Sequence, residues 1–302
     1  KYLNQCPKEF ADQSAAFKKA HPGGIDSLVQ GRWWVQPKFD GCHIIIDTTT
    51  GVATSRTGER VRSMDAQVAG VCRRIGKGFV VFGEAYQLGT TFSKISGDFR
   101  RHSASPDLCI VAFDMVSAEA FRCGHSAAPY RHRFNMLVHT LNLPRLDVPR
   151  MQSSPPEDKI LTAYTLHCTE DVIGWALHLK DVVGGYDGLI LRDPDAGWEA
   201  GDSKNGEVIK VKPVLSLDLR VDSQRVEQRA TKLGGYITVS YKGVQSDVGS
   251  GLTQAMLHDM QGRVSFVDRI AEIECMGVTP DGKLREPRFK GWRFDKIKAD
   301  GE

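Results

Sequence analysis

Val35-Gln36-Pro37-Lys38-Phe39-Asp40-Gly41 sets a lysine two residues ahead of an aspartate, with a glycine directly after it. Trp33, Trp34 and Val35 lead in, and Ile44-Ile45-Ile46 follows. Both flanks have the aromatic and β-branched composition of strands. Lys38 is therefore predicted in a short turn between two buried strands. A lysine amine becomes a nucleophile where its surroundings favour the uncharged form, as an apolar strand end does. Asp40 is placed to orient the amine or accept its proton, and Gly41 lets the backbone approach a ligand closely. Alone, the pattern is weak and reads more readily as a solvated surface turn.

Other short motifs follow in order. They are Ser55-Arg56-Thr57-Gly58, Phe82-Gly83-Glu84, Ala112-Phe113-Asp114, Asp187-Gly188-Leu189, Lys210-Val211-Lys212-Pro213 and, near the end, Arg293-Phe294-Asp295-Lys296. This ordered set resembles that of the covalent nucleotidyltransferases, which comprise ATP-dependent DNA ligases, RNA ligases and mRNA capping enzymes. The resemblance covers nearly the whole chain. The closing run Thr279–Phe289 looks like the end of the small phage-type DNA ligases.

Composition sets the frame. A chain of 302 residues has room for one or two domains with ample core. No apolar run approaches the roughly 18 to 20 residues that a membrane span needs, so no membrane role is expected. The N-terminus lacks the apolar stretch of a secretory signal, and the chain does not begin with methionine. Seven scattered cysteines without a Cys-x-x-Cys pair suggest reduced thiols and a cytoplasmic setting; the resemblance to phage-type ligases implies, as the alternative, a virus-encoded protein in a host cytoplasm. They also argue against a zinc module. NAD-dependent ligases have such a module, so the resemblance implies ATP as cofactor. Net charge is only +3, so a nucleic-acid site must be a local patch, and the tail from Lys283 to Lys298 is the candidate. Gly-x-x-x-x-Gly-Lys-Ser/Thr, His-Glu-x-x-His and Gly-x-Ser-x-Gly do not occur.

The pattern up to Lys212-Pro213 mixes strands and helices. Strands are predicted at 32–38, 42–47, 52–56, 79–86, 108–116, 188–192 and 207–212, and helices at 8–20, 62–74, 130–142 and 170–182. Beyond the boundary come strands at 217–227, 235–242, 270–278 and 288–295, with one helix at 254–261 capped by Thr253. The class is α+β. The resemblance implies a nucleotidyltransferase domain of antiparallel sheets flanked by helices (1–213), then an OB-fold β-barrel domain (214–302).

The resemblance also implies roles. Lys38 attacks the α-phosphorus of ATP and becomes lysyl-AMP; AMP passes to the 5′-phosphate of a nick in duplex DNA, and the 3′-hydroxyl then displaces it. Catalysis of this kind is mostly positioning and charge stabilisation. Lys38, Asp40, Lys210 and Lys212 would act in catalysis. Gln36 would read adenine, Phe113 stack on it, and Arg56 touch ribose and DNA phosphate. Glu84, a carboxylate closing the apolar run Phe79–Phe82, would contact ribose or Mg²⁺. Asp187 stands where the family usually has glutamate, and would reach the metal through water. Lys210 and Lys212 alternate with apolar residues, so both project from one strand face towards a triphosphate. Arg293 and Lys296 would orient the pyrophosphate, with a hinge near 213–216. Arg285, Arg288 and Lys290 would meet DNA. His43 replaces the usual arginine, leaving either a weaker, pH-dependent contact or a substitute basic residue elsewhere. A monomer is expected. A capping enzyme, an RNA ligase or a non-catalytic OB protein are the competing readings.

Overall fold

In the computed structural model the described residues are 33–143, 159–163, 165–167, 175, 178–179, 186–201, 207–211 and 214–302. They fall into two compact units, one up to residue 211 and one from 214 onward. The helix predicted at 8–20 lies outside the described residues, as does most of the one predicted at 170–182.

The first unit is built on two sheets. One has the order β11(Val208–Val211), β9(Tyr186–Arg192), β1(Trp34–Phe39), β8(Leu166–His167). The other has the order β3(Val52–Ser55), β2(Cys42–Asp47), β4(Phe79–Tyr86), β5(Cys109–Ser117), β7(Ile160–Thr162). Only the last pair, β5 with β7, is parallel. A two-stranded ribbon joins β6(His125–Ser126) to β10(Trp198–Glu199).

Residues 35–44 pass from the first sheet to the second. Val35 and Phe39 of β1 are buried, as are Ile44 and Ile46 of β2. Removing each isoleucine from water contributes roughly 1.5–3 kcal/mol. Only Asp40 and Gly41 lie between the strands. A Cβ on Gly41 would come 2.3 Å from the Ala85 carbonyl oxygen, so glycine alone lets β2 lie this close to β4. Lys38 thus belongs to β1 rather than to the turn, correcting the sequence expectation. Pairing of β1 with β9 extends the ladder past Pro37, which the apolar pattern by itself could not show.

Helices α1(Asp65–Ile75), α2(Phe92–Phe99), α3(Ala118–Cys123) and α4(Tyr130–Leu141) flank these sheets. Helix α4 buries Tyr130, Phe134, Leu137 and Leu141, and the Tyr130 and Phe134 rings stand edge-on to Trp34 at 5.9 and 6.1 Å. Helices α2 and α3 were not anticipated. Each is short and starts at a hydroxyl cap, with Thr91 accepting from Lys94 N and Ser117 from Ala120 N.

In the second unit the order is β14(Val244–Val248), β13(Leu233–Tyr241), β12(Leu215–Gln228), β15(Ile270–Cys275), β16(Arg288–Trp292). β12 pairs with β15 through 215–220 and with β13 through 221–228, with a register shift between Val221 and Ser223. That irregularity lets one long strand serve both sides of a curled sheet. Leu217, Leu219, Val221, Ile237, Val239, Ala271 and Ile273 fill the concave side. Helix α5(Gln254–Gln261), capped by Thr253 as predicted, adds Leu257 and Met260 against Leu233 and Phe266. The expected barrel is not closed by a continuous ladder among the described residues. Its two edges meet at one parallel bridge, Ser250 to Arg288, where Phe289 N donates to Ser250 O at 2.9 Å. The approach is tight: a Cβ on Gly251, at φ +89°, would lie 2.1 Å from the Phe289 carbonyl oxygen.

Candidate active site

Register explains the central pair. Pro37 faces Leu189 and Phe39 faces Tyr186, so Asp187 and Gly188 together oppose Lys38. Gly188 takes φ +119°, a backbone conformation that favours glycine. This bulge turns Asp187 to the lysine, and Lys38 Nζ donates to Asp187 Oδ2 at 2.7 Å. The two side chains are 19% and 6% exposed, so the pair is shielded from bulk water. Asp187 meets the amine directly, although the sequence assigned it to a metal.

Glu84 reaches the same place from the second sheet. It faces His43 across β2–β4, and the Gly41 backbone N–H hydrogen-bonds its carboxylate. Burial pushes the Glu84 carboxyl up to about 7; Lys38, the Gly41 N–H and Lys210 pull it down, while Asp40 pushes it up. Lys38, Asp40, Lys210 and Glu84 are therefore within electrostatic reach of one another. Lys210 faces outward from β11 between buried Ile209 and Val211, as the alternation predicted. Lys212 lies outside the described residues.

His43 packs against Phe82 and Phe113, with ring centroids 6.3 and 5.6 Å away. Burial, then Arg192, Arg56 and Lys210, lower its imidazole to about 4, so it is neutral near pH 7. Arg56 itself is exposed in the turn after β3. The sequence reading left open which residue replaces the arginine lost at His43. Arg192 is a cation in that neighbourhood, and the reading missed it. It closes the apolar run Leu189-Ile190-Leu191, the same kind of signal that singled out Glu84.

Arg192 also organises the residues predicted to hold a base. Its guanidinium lies over the Phe113 ring at 4.8 Å and the Tyr130 ring at 4.9 Å. Its Nε donates to Gln36 Oε1 at 2.9 Å, and Gln36 Nε2 donates to Tyr130 Oη and Thr165 Oγ1, each at 2.9 Å. Asp114, next to Phe113, holds Arg133 through two bonds of 2.9 and 3.0 Å, both side chains nearly fully buried.

The remaining candidates belong to the second unit. Arg293 Nη1 donates to both oxygens of Asp218 at 3.0 and 2.9 Å, and Lys296 Nζ bonds the same carboxylate. Arg293 also grips Asp295 through Nε and Nη2. Lys290 pairs with Glu274 at 3.1 Å, while Arg288 is exposed at the head of β16. Arg285 is half-buried, its backbone N–H donating to Gly277 O. The basic tail is thus partly neutralised by carboxylates of its own unit, which its residue count does not reveal.

No three His, Cys, Asp or Glu side chains converge among the described residues. Glu84, with Asp187 as the sequence led us to expect, could supply one or two carboxylate ligands. That donor set fits Mg²⁺, which keeps several waters and is commonly held by one or two carboxylates plus substrate phosphates.

No family model matches the chain. In sequence it is 31% identical over 141 residues to the DNA ligase of Enterobacteria phage T4, covering 41% of this chain and 28% of the phage protein; phage T6 DNA ligase matches equally. The matched segment therefore spans well under half of those relatives' length. Among solved structures, Pmar-Lig_PreS3 superposes with a TM-score of 0.70 at 20% identity, covering 91% of this chain and 66% of that one. A Lig E DNA ligase gives 0.64 at 18% identity, covering 87% and 93%. The ATP-dependent DNA ligase of bacteriophage T7, in complex with ATP, gives 0.50 at 18%, covering 94% and 97%. The fold is that of the DNA ligases. The ligase fold accounts for the arrangement seen here: a mixed α+β unit of antiparallel sheets, followed by a small curled β unit. No described helix is long and apolar enough to cross a membrane.

Proposed function

We propose that this chain is the catalytic core of an ATP-dependent DNA ligase that seals 3′-hydroxyl/5′-phosphate nicks in duplex DNA. The observation that carries the reading is the shielded Lys38–Asp187 pair, with the Glu84 carboxylate brought alongside by the sheet-to-sheet turn. Lys38 Nζ forms a bond to the α-phosphorus of ATP, and the bond to pyrophosphate breaks. The Nζ proton passes to the Asp187 carboxylate at 2.7 Å and on to water. Lys210 and Lys212 balance phosphate charge, and Arg56 holds the DNA 5′-phosphate. Bound Mg²⁺ would supply charge neutralisation at the phosphates, with Glu84 as its protein ligand. Arg293 and Lys296 orient the leaving pyrophosphate, and Arg285, Arg288 and Lys290 meet the DNA backbone. The domain boundary lies at 213/214. The chain works as a monomer, and its phage relatives support a virus-encoded protein acting in a host cytoplasm.

The test is covalent labelling. The protein is incubated with magnesium and ATP or GTP labelled at the α-phosphate, then denatured. Label from ATP that is lost in Lys38→Ala is the expected result. Label from GTP instead selects capping chemistry, and no label removes the nucleotidyl-transfer reading.

A further inference from the structure

No side chain is buried between Phe289 and Ala299, the stretch that carries Arg293 and Lys296. Phe294 is 81% exposed and Ile297 94%. Apolar burial therefore cannot fix the shape of this segment, and polar bonds must. At its start, Arg293 N donates to Ile270 O at 2.8 Å. At its end, Asp300 N donates to Asp218 O at 2.7 Å, and Asp218 N donates to Asp300 Oδ2 at 2.8 Å. Arg220 holds the part between. Its Nη2 donates to Ile297 O at 3.0 Å and to Glu302 Oε2 at 3.1 Å. Its Nε donates to Glu302 Oε1 at 2.6 Å, and its Nη1 to Asp268 O at 3.0 Å. Glu302 Oε2 in turn accepts from Ala299 N at 3.1 Å. Asp218 and Arg220 share one face of β12, opposite the core residues Leu217, Leu219 and Val221. That face holds the two cationic heads through Asp218 and the backbone behind them through Arg220.

We infer that Arg220, clamped by Glu302, is a positioning residue: it fixes the backbone of 293–299 so that Arg293 and Lys296 act together on the leaving pyrophosphate. The inference rests on the proposed nucleotidyl transfer and adds a residue that touches neither ATP nor the reacting atoms. Four N–H groups of one planar guanidinium reach three separate acceptors, the Ile297 and Asp268 carbonyls and the Glu302 carboxylate. A lysine ammonium is a point charge and cannot reproduce that fork. The Arg220 and Glu302 side chains are 31% and 38% exposed, and an ion pair so open to water adds little to global stability. Losing it should therefore loosen the segment without unfolding the unit. Loss of the fixed shape matters because a small misplacement of a charge-stabilising group is costly in rate.

The experiment makes three measurements on wild type, Arg220→Met, Arg220→Lys and Glu302→Gln. The first is hydrogen exchange at the Ala299 and Asp300 amides. The second is labelling of Lys38 by ATP labelled at the α-phosphate. The third is closure of a nick that already carries AMP on its 5′-phosphate, which bypasses ATP. Arg220→Met should speed exchange at both amides by about tenfold or more while leaving the melting temperature of the unit nearly unchanged. It should lower labelling by about tenfold to a hundredfold, chiefly in kcat, and leave closure of the pre-adenylated nick within about twofold of wild type. Arg220→Lys should recover part of the labelling. Glu302→Gln keeps the shape of the side chain and removes its charge, so it should give a smaller loss of the same kind. It decides the matter if Arg220→Met does not fold. Unchanged exchange would overturn the inference, as would faster exchange with labelling within about twofold of wild type. Equal loss of labelling and of closure would also overturn it, because that marks damage to the whole unit. Failure of wild type to label removes the proposed chemistry instead, and the exchange rates then still decide whether Arg220 holds the segment.

Discussion

Lys38 Nζ lies 2.7 Å from Asp187 Oδ2 because two residues of β9 oppose one of β1 at that point. The aspartate is already within hydrogen-bond reach, so the shorter side chain is no handicap. Asp187→Asn should lower the rate of ATP labelling by about 10²–10⁴-fold, the range typical of a lost proton acceptor. Asp187→Glu should also lower it, by a smaller factor, because the added methylene overshoots the amine. A rate raised by Asp187→Glu would show that this geometry is not the reactive one.

Stability should depend on pH through two opposing groups. Glu84 is raised from 4.5 to about 7, so between these values the folded chain holds a proton the unfolded chain has released, and stability falls as pH rises. His43 is lowered from 6.5 to about 4, so between these values the unfolded chain holds the extra proton, and stability rises with pH. From about 4.5 to 6.5 the two slopes cancel. Glu84→Gln should expose the His43 slope, giving a melting temperature that climbs across that window, and should stabilise the protein at pH 8. Each kcal/mol moves a unit of this size by about 2–4 °C. Melting curves from pH 4 to 8 that coincide for wild type and Glu84→Gln would contradict both assignments.

The buried pair Asp114–Arg133 tethers β5 to α4 beside Phe113. Asp114→Ala leaves a guanidinium buried without its carboxylate and should cost about 3–5 kcal/mol in urea unfolding. Arg133→Met added to Asp114→Leu should recover much of the loss, because the uncompensated charge goes with it. A double variant no better than the single would mean that the hydrogen bonds from Arg133 to the Ala128 and Ala196 carbonyls matter more than the ion pair.

Asp218 occupies two cations of the second unit. Asp218→Asn should free Lys296 for phosphate and loosen Arg293, which keeps its Asp295 partner, strengthening retention on nicked duplex DNA. It should steepen the dependence of log K on log salt by about 1–2. An unchanged slope would show that neither side chain faces DNA when released.

Much of the architecture was readable from the chain. β2, β4 and α5 match the expected bounds, since each combines a clean apolar pattern with an unmistakable start or stop. The α2 and α3 helices were missed because eight and six residues are too few for a period to show. Lys38 was misplaced because β1 ends where β9 stops pairing with it, a fact about residues about 150 positions away. Glu84 was legible as a charge at the end of an apolar run, and Arg192 carried the same mark unnoticed. What no local pattern could provide was partnership. That Asp187 faces the amine, or that Asp218 holds the tail cations, depends on register between distant strands.

One carboxylate holding both Arg293 and Lys296 ties their fates together. An incoming phosphate that draws off the first leaves the Asp218 charge uncompensated and relieves the repulsion between the two cations, so the second is held more tightly. The two side chains should therefore change partners one after the other, and a graded rise in ligand would produce a gradual rather than a sharp exchange.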